Sequence, residues 1–237
     1  LRALRDPRLV SCLPSTHNKI VDPLGFFDTI LFNDSSDHKR LHALLAPIFS
    51  KARLAHLQNY IDSEISRLLT PLHNKEQFDL VDEVANKLPV RTICHLLKLP
   101  ESSADTYRQI SLGACRLFGF VKLSETEYRQ AITDTQRFLG ELGKFFDGLS
   151  PSDRMSHPLA DFLTLEECGE FNRHEMLMNI LILFIGGYGT TSLSIGNSVA
   201  ALLRAPELWQ ALRDDEAMIP QAVRELLRYD PAAQAVS

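Results

Sequence analysis

The sequence predicts a mainly α-helical fold, and three observations carry that reading. Apolar residues recur at helical spacing in segment after segment. No stretch alternates apolar and polar residues as a half-buried strand does. Helix-start signals stand where the periodic segments begin: a capping box at Ser124-Glu125-Thr126-Glu127, and prolines at 206 and 220 in first-turn positions. With 237 residues, 45% of them hydrophobic, the chain can bury a sizeable core in one large domain or two small ones.

Taken in order, Leu1 to Arg5 reads as the end of a helix that Asp6-Pro7 breaks. Residues 10–34 carry Pro14, Pro23 and Gly25 without a period, and hold Leu24, Phe26, Phe27 and Ile30. A loop this long is either functional or a surface segment tacked down by its phenylalanines. From Asp37, read as a cap, the pattern turns helical, with His38 and His42 four apart on one face. That spacing can hold a metal if a third ligand joins, and none stands nearby in sequence; the other reading is two solvated histidines. Arg53 to Leu72 is amphipathic, with Leu54, Leu57, Ile61, Ile65, Leu68 and Leu72 on one face.

Residues 78–99 form the next helical segment, which Pro89 kinks or restarts and Pro100 ends. Lys98 stands where a helix-ending glycine is usual. Helices come next at 103–120, from the capping box to Gly148, and at 158–167, with 150–157 as a polar linker between the last two. Past the central stretch, one helix carries Trp209 and Leu212, and the last runs from Gln221 to Tyr229 before Pro231.

The central stretch is His174 to Arg204. Its first half is apolar on nearly every face, and Gly186-Gly187-Tyr188-Gly189-Thr190-Thr191 sits in the middle. Three glycines in four positions weaken a helix by on the order of 3 kcal/mol, so something needs bare backbone there. Threonine hydroxyls can bond the carbonyl one turn back, and a local kink is expected. The competing reading, a strand followed by a phosphate-binding turn, lacks the third glycine of G-x-G-x-x-G and the lysine of a P-loop. Length and the helical neighbours favour one long helix.

Composition excludes several classes. A net charge of −5 without a basic run argues against nucleic acid. The longest apolar run, broken by Asn179 and the glycines, reads as too short to cross a bilayer, and no signal peptide is visible. Cys12, Cys94, Cys115 and Cys168 are scattered with no C-x-x-C pair, as expected of reduced thiols in a cytoplasmic protein.

Five motifs in one order then resemble the bacterial cytochrome P450 family. ALRDPRL is similar to the family's helix B region. SSDHKRLHALLAPIFSKARL is similar to DPPEHTRLRRLVSKAFTPR at the start of helix C, and FDLVDEVANKLPVRTICHLLKLP to the helix E region. GGYGTTSLSIGN is similar to AGHETTANLIGN of the long helix I. LLRAPELWQALRDDEAMIPQAVRELLRYDP is similar to helices J and K, including the E-x-x-R pair at Glu225 and Arg228.

The resemblance implies a mainly α, cytochrome P450-like helical domain, a single partial domain over 1–237 running from helix B to helix K and incomplete at both ends. It implies heme b, with the axial cysteine in a turn beyond helix K that none of the four cysteines matches. Thr190, with Gly189 and Thr191 beside it, takes the catalytic positions of the family's oxygen-binding threonine. Gly187 is expected to leave room over the iron. His38 and His42 are expected to touch a haem propionate, His42 in place of the family's arginine. Glu225 and Arg228 become the core pair that braces the haem loop. Phe26, Phe27, Leu183 and Gly186 become substrate-pocket residues, as do the rest of the 13–32 loop and the segment near Phe118 and Phe120.

The resemblance implies one of two functions. One is a haem-thiolate monooxygenase oxidising a hydrophobic small molecule, with electrons from a ferredoxin or flavoprotein. The other is a non-catalytic relative that stabilises another enzyme such as a glycosyltransferase. Gly189 in place of the family's acid, and His42, lean toward the second; Thr190-Thr191 and Glu225/Arg228 lean toward the first.

Overall fold

A computed structural model describes residues 24–33, 35–118 and 123–233. Among them it contains ten α-helices and no strand: α1 Ser35–Leu45, α2 Lys51–Leu69, α3 Lys87–Leu96, α4 Ala104–Phe118, α5 Glu125–Asp147, α6 Pro151–Ser156, α7 Ala160–Glu167, α8 Arg173–Leu203, α9 Pro206–Asp214 and α10 Ile219–Tyr229. Leu1 to Arg5, the helix B match, Cys12, residues 13–23 of the loop and Phe120 lie outside the described residues, as do the side chains of Phe27 and Phe118.

Where local chemistry sets a boundary, the elements start and stop as it dictates. Ser124 caps α5 by accepting from Glu127 N while the Glu127 carboxylate accepts from Ser124 N, a complete capping box. Glu127 is held below the usual carboxylate range by its bonds to Ser124. Lys98 closes α3 with φ +48°, the left-handed conformation for which glycine is the usual choice. Leu99 N donates to Cys94 O and Lys98 N to His95 O, which satisfies carbonyls of the last turn.

The structure corrects three expectations. The segment 150–157 is not a linker: Ser150 caps the short helix α6, and His157 after it is buried. The helix expected from Asp37 begins at Ser35, with Asp37 in its first turn. The central helix is long and apolar enough to cross a membrane by length and composition, because neither Asn179 nor the glycines break its 31 residues. Half of that apolar window is nonetheless buried within the protein, as a core helix requires.

The chain divides into two compact units, Leu1–His56 with Cys94–Phe184, and Leu57–Ile93 with Ile185–Ser237. Each combines two separate stretches of chain.

In the first unit, α4 and α5 approach closely: a Cβ on Gly113 would stand 2.7 Å from Asp134 Cβ and 2.9 Å from Ala131 O, so only glycine fits. Tyr107, Phe138 and Phe184 form an aromatic cluster with centroids 5.1–6.0 Å apart. The start of α8 is anchored by Arg173, which reaches Asp147 Oδ1 at 2.6 Å, Gly143 O at 3.0 Å and Glu166 Oε1 at 3.2 Å. Asn179, fully buried, accepts from Ile30 N at 2.8 Å and donates to Glu175 O, which ties the 24–33 loop to α8.

In the second unit a π-helical turn, Val81–Ala85, precedes α3, and Pro89 falls in the first turn of α3, where its missing N–H leaves no bond unmade. Glu64 on α2, 5% exposed, accepts from both Arg67 and Arg91. No residue of α9 or α10 is buried.

Candidate functional site

The glycine–threonine stretch lies in an unbroken α-helix. Both hydroxyls bond back one turn, Thr190 Oγ1 to Gly186 O at 2.8 Å and Thr191 Oγ1 to Gly187 O at 3.0 Å. These bonds satisfy the hydroxyl protons while leaving each oxygen's lone pairs free to accept. Both threonines are exposed.

The three glycines do different things. A Cβ on Gly186 or Gly189 would meet nothing within 4 Å, whereas one on Gly187 would stand 2.9 Å from Ile93 Cδ1. Gly187 therefore does not leave room on the open side; it lets α8 lie against α3. The open positions are Gly186 and Gly189. Helical spacing of roughly 100° per residue puts them with Thr190 and Leu193 on one face and Gly187, Tyr188 and Ser192 on another. Tyr188 is 4% and Ser192 7% exposed and both are packed, while Leu193, at 55%, is on the open face with Gly186, Gly189 and Thr190; Thr191, between Gly187 and Tyr188, is exposed as well.

Two residues that sequence reasoning missed secure the packed face. Ser192 Oγ donates to Asn86 Oδ1 at 2.7 Å, and Ile93 fills the space that Gly187 leaves. No periodic signal marks Asn86, because it ends a π-turn rather than an α-helical face.

Within the first unit, His38 and His42 are exposed on α1 with stacked rings, centroids 6.1 Å apart. His38 Nδ1 lies 3.2 Å from Ile30 O. Between them Arg40 is already engaged, by Glu175 and over the ring of Phe171 at 4.9 Å. No group of three or more metal-binding side chains forms among the described residues. A polar cleft of about 230 Å³ opens beside Arg40, lined by Asp28, Asp37, Asn172 and Glu175 among others. Phe26, expected in a pocket wall, is 7% exposed. Leu183 is half-buried and Gly186 exposed.

Glu225 and Arg228 are paired as their spacing predicts, Arg228 Nε donating to Glu225 Oε2 at 2.8 Å. The pair is exposed on α10, at 59% and 71% of side-chain area. Arg228 holds the Glu225 carboxyl below its usual range, and Glu225 raises Arg228 in turn.

A haem can be tested against these residues. Bare, open backbone at Gly186 and Gly189 beside an exposed hydroxyl fits the oxygen side of a flat macrocycle. Burial pushes the Cys94 thiol up to about 12 and the Cys115 thiol up to about 11, as expected of thiols packed inside the protein.

No family model matches the chain. Putative cytochrome P450 133B2 of Xylella fastidiosa is 30% identical over 214 residues, 89% of this chain and 53% of that protein. The crystal structure of CalO2 superposes with a TM-score of 0.78 at 28% identity, covering 87% of this chain and 51% of that one. The tirandamycin C-bound P450 monooxygenase TamI gives 0.76 at 28% identity, covering 95% and 56%. The chain thus spans about half the length of the relatives it matches.

Proposed function

The chain belongs to the bacterial cytochrome P450 family along the stretch it shares with these relatives, and from that premise we propose that it furnishes the oxygen-side wall of a haem-thiolate monooxygenase acting on a hydrophobic small molecule. The observation that carries the proposal is the open face of α8, with Thr190 exposed and no obstruction at Gly186 or Gly189. Gly186, not Gly187, takes the part of the small residue beside the ring. His38 and His42 are the proposed propionate partners, and Glu225 with Arg228 the proposed brace for the haem loop. When bound, a haem with a cysteine thiolate ligand supplies the electron density that favours O–O cleavage.

The chain's own part is to shape the site and handle protons. Thr190 Oγ1 keeps its hydrogen on the Gly186 carbonyl and offers its lone pairs to a neighbouring donor. No charged or histidine side chain occurs between Glu175 and Arg204, and Tyr188 is turned into the packed face. Protons therefore reach this wall through water or through the substrate, and the space beside Gly189 is where a water would stand. Thr191, bonded to Gly187 O, steadies the adjoining turn.

TamI is bound to tirandamycin C; the proposal carries over only the class, a small organic molecule. Electrons would come from a ferredoxin or flavoprotein. A cytoplasmic setting accords with Cys94, Cys115 and Cys168 being free thiols. The reading as a non-catalytic partner of a glycosyltransferase draws no support from these relatives.

The test is the reduced, carbon monoxide-treated spectrum of the protein encoded by the whole reading frame, loaded with haem. The proposal expects the red-shifted Soret band of a thiolate-ligated haem. A haem complex without that band, or no haem binding, overturns it.

A further inference from the structure

We infer that Asn86 and Ser192 are positioning residues whose hydrogen bond fixes the rotation of α8 about its own axis, and with it the direction of Thr190. The inference rests on the reading of Gly186, Gly189 and Thr190 as the oxygen-side face.

Helix α8 is weak where its orientation matters most, because three glycines between 186 and 189 lower its intrinsic stability. The backbone needs an external hold, and the packed side provides one. Ser192 Oγ donates to Asn86 Oδ1 at 2.7 Å; Ser192 is only 7% exposed and Asn86 half-buried, which limits water's access to the bond. Ser192 stands where the motif AGHETTANLIGN has alanine, which has no such bond to make.

Asn86 is itself held. Its N–H closes the π-turn on Val81 O at 2.8 Å, and its Nδ2 donates to Asp82 Oδ1 at 3.3 Å, which leaves Oδ1 turned to Ser192. A π-turn inserts a residue into the helical winding and re-aims the residues after it, a device found often at functional sites. On the packed side, Gly187 abuts Ile93. Thr190 precedes Ser192 by two residues, roughly 200° around the helix, so holding Ser192 against Asn86 turns Thr190 to the open face.

The test uses the haem-free protein encoded by the whole reading frame. Ser192→Ala and Asn86→Ala are each expected to speed amide hydrogen exchange at residues 186–191 about tenfold, while the α5 amides at 138–146 keep their protection. The Thr190 methyl resonance is expected to shift in both variants, a signature that loss of stability alone would not give. The double variant is expected to exceed neither single one, since both remove the same bond. Unchanged exchange and an unmoved Thr190 resonance overturn the inference. So does exchange that rises equally along the whole chain, or a double variant whose effects add. Because no haem is involved, failure here leaves the proposed monooxygenase standing; that reading fails separately, on the carbon monoxide spectrum.

Discussion

Gly187 and Ile93 are so close that a β-carbon on the glycine would stand 2.9 Å from Ile93 Cδ1 and 3.1 Å from its Cγ1. Ile93 is 4% exposed and has little room to withdraw. Alanine at 187 gains about 1 kcal/mol of helix propensity but meets an overpacking penalty of roughly 1–3 kcal/mol. Gly187→Ala is therefore expected to lower stability by about 1 kcal/mol, whereas Gly186→Ala and Gly189→Ala, each with open space, are expected to raise it by up to about 1 kcal/mol. Denaturant unfolding of the three variants checks this. Equal effects at all three positions would mean that the glycines are interchangeable.

The carboxylate of Glu64 is buried between two guanidinium groups, with Arg67 Nε at 2.8 Å and Arg91 Nη1 at 2.6 Å. Arg91 is itself only 18% exposed, so removing the carboxylate strands a charge. Glu64→Gln is expected to cost about 2–3 kcal/mol, somewhat below a fully buried pair because Arg67 can return to water. Glu225→Gln, which breaks an exposed pair of the same spacing, is expected to leave the unfolding midpoint where it is. A Glu64→Gln variant as stable as wild type would contradict the reading of this cluster.

His157 gives a pH dependence of definite sign. Its Nδ1 accepts from Leu159 N at 3.2 Å, and the ring is buried. Burial, then the positive charges of Lys98, Arg53 and Arg154, lower its pKa from 6.5 to about 4. The unfolded chain therefore takes up a proton that the folded chain refuses. The stability contribution is full above pH 6.5 and is lost as pH falls toward about 4, by about 3 kcal/mol in all. His157→Asn, which can still accept from Leu159, is expected to remove that part of the slope. Parallel stability profiles for wild type and variant across this window would show that His157 is not the source.

The class of the fold and most of its elements were legible in the sequence because they are local. The Ser124 capping box, the left-handed Lys98 and the pairing of Glu225 with Arg228 each depend on residues a few positions apart. What the sequence concealed is non-local. Asn86 and Ser192 are 106 residues apart and meet only in the folded chain. The buried Glu64 looks like any surface charge on an amphipathic helix until Arg91 arrives opposite it. The bare backbone beside Thr190 was readable, but which of the adjacent glycines Gly186 and Gly187 packs against a neighbour was not, because only the folded chain distinguishes them.

Ile219, Val223 and Leu227 lie at one-turn spacing on α10 and are each 43–47% exposed; Leu208 and Trp209 on α9 are also exposed. An apolar surface of this kind promotes association. The 237-residue chain in isolation is expected to self-associate, and Val223→Glu with Leu227→Lys to reduce that association. Sedimentation showing a clean monomer for the unaltered chain would argue against it.

The central claim is that Gly186, Gly189 and Thr190 face a haem-bound ligand. The most direct measurement is the C–O stretching frequency of the reduced carbon monoxide complex of the haem-loaded protein. Gly186→Leu and Thr190→Val are expected to shift it, the first by crowding the ligand and the second by removing a hydroxyl from its surroundings. Met155→Leu, a change at an exposed position in α6 on the other unit, is expected to leave it unchanged. The same frequency in wild type and all three variants would show that this face of α8 does not meet the ligand, and the account would be wrong.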